Sequence, residues 1–167
     1  MASAAEMGRV VGWLALALLA LASACRAGPA VADVRVTGLR DVALASLTGI
    51  DDAAAAQDVC VWSGSGSYAV AADGPRSGSA FGLSGGAALP ALPFHVEWSQ
   101  SAGRNSGTEL HPGSQLAGLS SGATATDCSS GPSSTASLII RIRAADLQKA
   151  TSRILYSGTI TLIMGAE

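Results

Sequence analysis

Two tripeptides hold both histidines of this 167-residue chain, and each places a histidine two residues from a glutamate. In His95-Val96-Glu97 and Glu109-Leu110-His111 the two end side chains project from the same face of an extended strand, so each pair can set an imidazole beside a carboxylate. If the two strands were neighbours, four groups would meet in a donor set that suits zinc or copper. The simpler reading puts four polar side chains on the wet face of a sheet, and no metal is expected on them.

Other chemical patterns dissolve in the same way. Gly82-Leu83-Ser84-Gly85-Gly86 and Gly118-Leu119-Ser120-Ser121-Gly122 match Gly-x-Ser-x-Gly, which needs its serine on a tight strand-to-helix turn with an acid and a histidine further on. No helical pattern follows either match, both histidines precede Ser120, and a chain with 20 glycines produces such matches by chance. Asp51, Asp52 and Asp58 lack the spacing of a calcium loop, and the single lysine, Lys149, is not part of a phosphate-cradling Gly-Lys-Ser. Arg141 and Arg143 read as the solvated face of a strand. Trp62, Tyr68, Trp98 and Tyr156 could stack on a sugar, but each stands among apolar neighbours in an alternating run and reads as core. The chain is therefore expected to be non-enzymatic, with no catalytic residue and no cofactor.

The elements that carry these residues show a period of two. Apolar side chains alternate with polar or small ones at 34–36, 42–44, 59–62, 68–72, 80–83, 94–98, 138–143 and 154–164. In the run at 94–98, Phe94, Val96 and Trp98 should enter a core while His95 and Glu97 face water. The last run reads as one long strand, with Ile154, Tyr156, Ile160, Leu162 and Met164 on one face. Gly, Ser, Asp, Asn and Pro separate the runs at turn-like intervals. Residues 144–150 allow one or two helical turns, and the Ser/Gly/Thr-rich stretch 99–135 reads as weak edge strands and long loops rather than a linker between domains. The expected fold class is all-β, an immunoglobulin-like antiparallel β-sandwich of seven or eight strands.

The amino terminus bears on compartment. Arg9 precedes an apolar run from Val10 to Cys25, shorter than the roughly 20 residues that span a bilayer, and Pro29 and Ala30-Val31-Ala32 follow. These are the parts of a cleavable signal peptide over residues 1–32, leaving 33–167 as a single domain in the periplasm, outside the cell or on its surface. A minor alternative lipidates Cys25, as in a bacterial lipoprotein. No membrane span is expected after residue 32. Removing the signal also leaves Cys60 and Cys128 as an even pair in an oxidising compartment, where a disulfide is the default. Closing that loop would add roughly 4 kcal/mol on the chain-entropy model. Residues 33–167 hold 8 basic and 11 acidic side chains, a net charge of −3, and the whole chain is only 13% charged but 49% hydrophobic. Such a balance argues against nucleic-acid binding and against disorder.

The stretch from Val34 to Glu167 resembles small secreted bacterial proteins akin to pilus subunits of the chaperone–usher kind, in particular the spore-coat-U-like and archaic pilins. The similarity is carried by 34–42, by Val59-Cys60-Val61-Trp62-Ser63 leading to Gly66-Ser67-Tyr68-Ala69-Val70, by 92–98, and most of all by Tyr156-Ser157-Gly158-Thr159-Ile160-Thr161-Leu162 near the end. The resemblance implies an incomplete immunoglobulin-like fold whose groove is filled first by a chaperone strand and then by the amino-terminal extension of the next subunit. Its partners would be further copies, other surface subunits and a periplasmic chaperone. Val34, Val36, Val42 and Leu44 are the candidate donor-strand residues, so that 33–50 is either a donated strand or the first hairpin of a self-complete sandwich. The alternative function is a monomeric secreted or periplasmic immunoglobulin-like binding module for a surface, a sugar or a protein.

Overall fold

The structure, a computed structural model, describes residues 33–44 and 51–167, and in them the period-two runs become ten strands and one short helix. In chain order these are β1 (Val34–Thr37), β2 (Ala53–Ser63), β3 (Ser67–Asp73), β4 (Arg76–Ser77), β5 (Ala80–Leu83), β6 (Leu92–Ser99), β7 (Thr108–Leu110), β8 (Gln115–Ser120), β9 (Ala136–Ile142), α1 (Ala144–Leu147) and β10 (Thr161–Ala166). The expected signal peptide at 1–32, its Cys25, and residues 45–50 of the segment 33–50 lie outside the described residues.

All pairing is antiparallel. The larger sheet runs β1-β2-β9-β6-β5-β4, with β7 against the half of β6 that β5 leaves open, and the smaller runs β10-β3-β8. The all-β class is therefore as the alternation requires, and Ala32–Glu167 form one compact unit.

Strand β6 shows why these residues fold this way. Its even positions Leu92, Phe94, Val96 and Trp98 are all buried, and its odd positions, His95 and Glu97 among them, are half-buried on the outer face. Two inner faces share one core. Val59, Val61, Phe94, Val96, Trp98, Leu138 and Ile140 come from the larger sheet and Tyr68, Val70, Ala72 and Leu119 from the smaller. Trp98 and Tyr68 tie the sheets together, edge to face at 6.4 Å between ring centres, with the Trp98 indole N–H donating to the Tyr68 hydroxyl at 3.0 Å. That bond satisfies a polar group that would otherwise be stranded in the core.

Three expectations are corrected. The strand count is ten rather than seven or eight, because β4, β7 and β8 form in segments whose few large side chains give little pattern. The run 154–164 is not one strand. Arg153 takes a left-handed conformation (φ 64°), Ser157 pairs alone with Ser84, and regular pairing begins only at Thr161. Residues 42–44 form no strand, whereas β2 begins at Ala53, well before its apolar run. Ala53-Ala54-Ala55-Ala56-Gln57 has poor strand propensity, but it pairs position for position with the Ile-rich β9, and that partner decides its conformation. The helical turn expected in 144–150 is α1.

Cys60 and Cys128 form a disulfide across 68 positions. It fastens the strandless segment between β8 and β9 to the outer face of β2. At the far end of the chain, Glu167 accepts the Gly118 N–H at 2.7 Å, where β8 bulges and Gly118 adopts φ 72°.

Candidate functional site

The outer face of the larger sheet brings together most of the residues singled out by type and spacing. Strands β6 and β7 are neighbours, and their register sets Glu97 directly opposite Glu109. Two like charges at that separation repel. Each finds a different partner. Arg141 on β9 donates from Nε to Glu97 Oε1 at 2.9 Å, and the backbone N–H of Gly107 donates to Glu97 Oε2 at 2.9 Å. His95 Nδ1 stands 2.6 Å from Glu109 Oε1, with His111 Nδ1 at 3.9 Å from the same oxygen. Burial pushes the Glu109 carboxyl up, but the His95 hydrogen bond and the charges of His95, His111 and Arg143 outweigh it and hold the group below the usual carboxylate range.

The structure thus gathers His95, Glu109 and His111 and draws Glu97 away into a separate ion pair. Among the described residues no group of three or more His, Cys, Asp or Glu side chains is arranged to hold a metal ion. The arrangement braces the sheet, since Arg141 also donates to the Asn105 carbonyl at 3.1 Å and so ties the loop after β6 to β9. Beside it, Asp58 accepts the Ser137 hydroxyl at 2.6 Å and the Gly103 N–H at 2.7 Å. The hydroxyl first and the amide second lower the Asp58 pKa.

Neither serine of the Gly-x-Ser-x-Gly matches is bonded to a histidine. Ser84 exchanges backbone hydrogen bonds with Ser157, and the Ser120 N–H donates to the Gln100 side chain. Of the four large aromatics, Tyr68 and Trp98 are each 1% exposed in the core, while Trp62 and Tyr156 are only half-buried.

The candidate donor-strand residues divide. Val34 and Val36 lie on β1, paired with β2 of the same chain in the register Val34↔Ser63 and Val36↔Val61. Both, like Leu44, pack half-buried against the core, whereas Val42 is exposed. Strand β1 ends the larger sheet and β10 ends the smaller, so each has a neighbour on one side only. Their Cα atoms come within 8 Å of each other. The remaining apolar side chains of β10 on its inner face, Leu162 and Met164, are half-buried there, and Ile163 is 56% exposed on the outside.

One feature escapes sequence reasoning altogether. Beyond Thr37 the β1 chain parts from β2 at Gly38, whose φ of 87° is a conformation that favours glycine. Arg40 is still opposite Gln57, but the Gln57 side chain replaces the backbone ladder. Its Oε1 accepts the Arg40 N–H at 2.9 Å and its Nε2 donates to the Arg40 carbonyl at 3.1 Å. The opening is a cavity of about 470 Å³ lined by Thr37, Arg40, Gln57 and Asp58, by Cys60 of the disulfide, and by Asp127 and Ser133 from the segment the disulfide fastens down. No motif links residues 37–40, 57–60 and 127–133; only the cysteine pairing hints that the last group lies near the second. In comparisons with known proteins, the chain matches no family model, no curated protein and no solved structure.

Proposed function

We propose that this protein is an exported, non-enzymatic structural subunit of the bacterial cell surface, an immunoglobulin-like sandwich that joins its neighbours by strand addition. The observation that carries the reading is the pair of free edges. β1 and β10 each present unpaired backbone N–H and C=O groups, they belong to different sheets, and they lie close together over half-buried apolar side chains. An edge of this kind is a template for another strand. The occupant is residues 33–44 of a second copy. Leaving its own chain would cost that segment the four paired residues of β1, the Arg40 clamp and the half-buried contacts of Val34, Val36 and Leu44, which the same segment of a neighbour would restore. A periplasmic chaperone would cover the same edges before assembly.

The reading is tested by recovering the protein from the cell envelope and running it with and without heating. A ladder of sizes that heat dissolves is the expected result. Deleting residues 33–44 should abolish the ladder, and a synthetic peptide of those residues should raise the thermal midpoint of the deleted protein. A full-length protein that stays monomeric at every concentration, together with a peptide that does not bind, would favour the monomeric binding module instead and end the strand-exchange reading.

A further inference from the structure

The cavity between Arg40, Asp58 and Asp127 has the composition of a binding site, and we propose that it takes a small zwitterion, with the ligand's carboxylate on Arg40 and its ammonium group on Asp127. The inference does not depend on strand exchange. None of the described residues that line the space is a large apolar side chain, so aromatic or lipid-like ligands find nothing to pack against. A guanidinium and two carboxylates share the lining, and this net negative charge disfavours phosphate and other simple anions.

The charged groups are held in place yet partly unused. Arg40 is gripped through its backbone on both sides by Gln57, and among the described residues its guanidinium has no hydrogen-bond or ion-pair partner, leaving a planar fork free for a carboxylate. Asp58 receives the Ser137 hydroxyl and the Gly103 N–H on one oxygen, Oδ1, which leaves its Oδ2 open, and Asp127 receives the Ser129 N–H on its own Oδ1. Asp58 is held below its ordinary range by the Ser137 hydroxyl and the Gly103 amide, and Asp127 by the Ser129 side chain first and the Ser129 amide second, which keeps both ionised in mild acid. Thr37 and Ser133 add hydroxyls that make no hydrogen bond to other described residues. Arg40 is held opposite Gln57, and Asp127 adjoins Cys128, the disulfide partner of Cys60, three residues further along β2. With a rise of about 3.3 Å per residue, that separates the two positions by roughly 10 Å along the strand, a span closer to a dipeptide or a lysine than to glycine.

Titration calorimetry of the purified full-length protein with glycylglycine and with lysine tests this directly. A saturable single site for at least one of the two is expected. Arg40→Ala and Asp127→Asn should each weaken it by about tenfold or more, the worth of one charge-assisted hydrogen bond. Because both groups are at the surface, neither change should move the thermal midpoint, which separates loss of the site from loss of the fold. Gln57→Ala tests the positioning role and should weaken binding although it removes no charge from the cavity. The proposal is overturned if neither probe binds at tens of millimolar, if Arg40→Ala binds as well as the parent protein, or if ethylamine, glucose or calcium chloride binds more tightly than both zwitterions.

Discussion

Glu109 shows how a single side chain reports on the sheet around it. It stands opposite Glu97 in the ladder and is kept ionised by the His95 hydrogen bond and by the positive charges beyond it. Its pKa in the folded chain lies below the ordinary value of 4.5, so its ionised form stabilises the fold. That contribution is complete above the unfolded value and is lost as the pH falls through the lower, folded one. Unfolding curves measured from pH 6 down to pH 3 should therefore fall off on the acid side, and Glu109→Gln should flatten that limb by lowering the neutral plateau while changing the stability at pH 3 least. A variant with an acid limb as steep as the parent's would assign the pH dependence to other groups, Asp58 first among them, since its pKa is also lowered. That His95 shares a strand face with Glu97, and Glu109 with His111, is legible in the spacing, whereas the pairing of β6 with β7 is not. That Arg141 claims Glu97 is not legible either, because it depends on β9 lying on the other side of β6, a long-range pairing that local alternation does not encode.

At the level of elements, legibility follows side-chain size. Strands β3, β5, β6 and β9 announce themselves because branched and aromatic residues alternate on them, and β6 keeps the faces expected of it. The first half of β2 is alanine and takes its conformation from β9. The run at 154–164 has the right residues for a long strand but is interrupted by a left-handed Arg153 and a lone bridge at Ser157. The arrangement of the 121–135 segment was the least readable, since Ser, Gly and Thr give it no period. What holds it is the disulfide, with Thr135 bonding to both the N–H and the carbonyl of Val61. Cys128 itself adopts φ 54°, a conformation a non-glycine residue enters only when its surroundings require it. Replacing both cysteines by alanine should lower the unfolding free energy by roughly 2–5 kcal/mol in denaturant titration, the usual cost of losing a native disulfide in a small domain. Alkylation of the untreated protein should find no reactive thiol at 60 or 128; two such thiols would remove this constraint from the account.

For the molecule as a whole, the even cysteine pair, the sparse charge and the open edges of β1 and β10 fit the proposed export. A disulfide across 68 positions forms readily in an oxidising compartment and is rarely retained in a reducing one, so a chain that depends on it is best folded after export. The free edges of β1 and β10 make the same demand from another side, because an unpaired edge left in a crowded cytoplasm invites unwanted pairing. Among the described residues no helix is long and apolar enough to cross a membrane. On the export proposed above, with the signal read from residues 1–32, the product in the envelope fraction would begin at Asp33. The chain has one lysine, so labelling the native protein with an amine reagent should mark only Lys149 and the new amino terminus, and digestion would then read the cleavage site directly. Intact mass should fit residues 33–167 in the oxidised form. A product that retains Cys25 with a lipid attached would move the protein to a membrane surface and tether residues 33–44 there, where they could no longer pass freely to a neighbouring subunit.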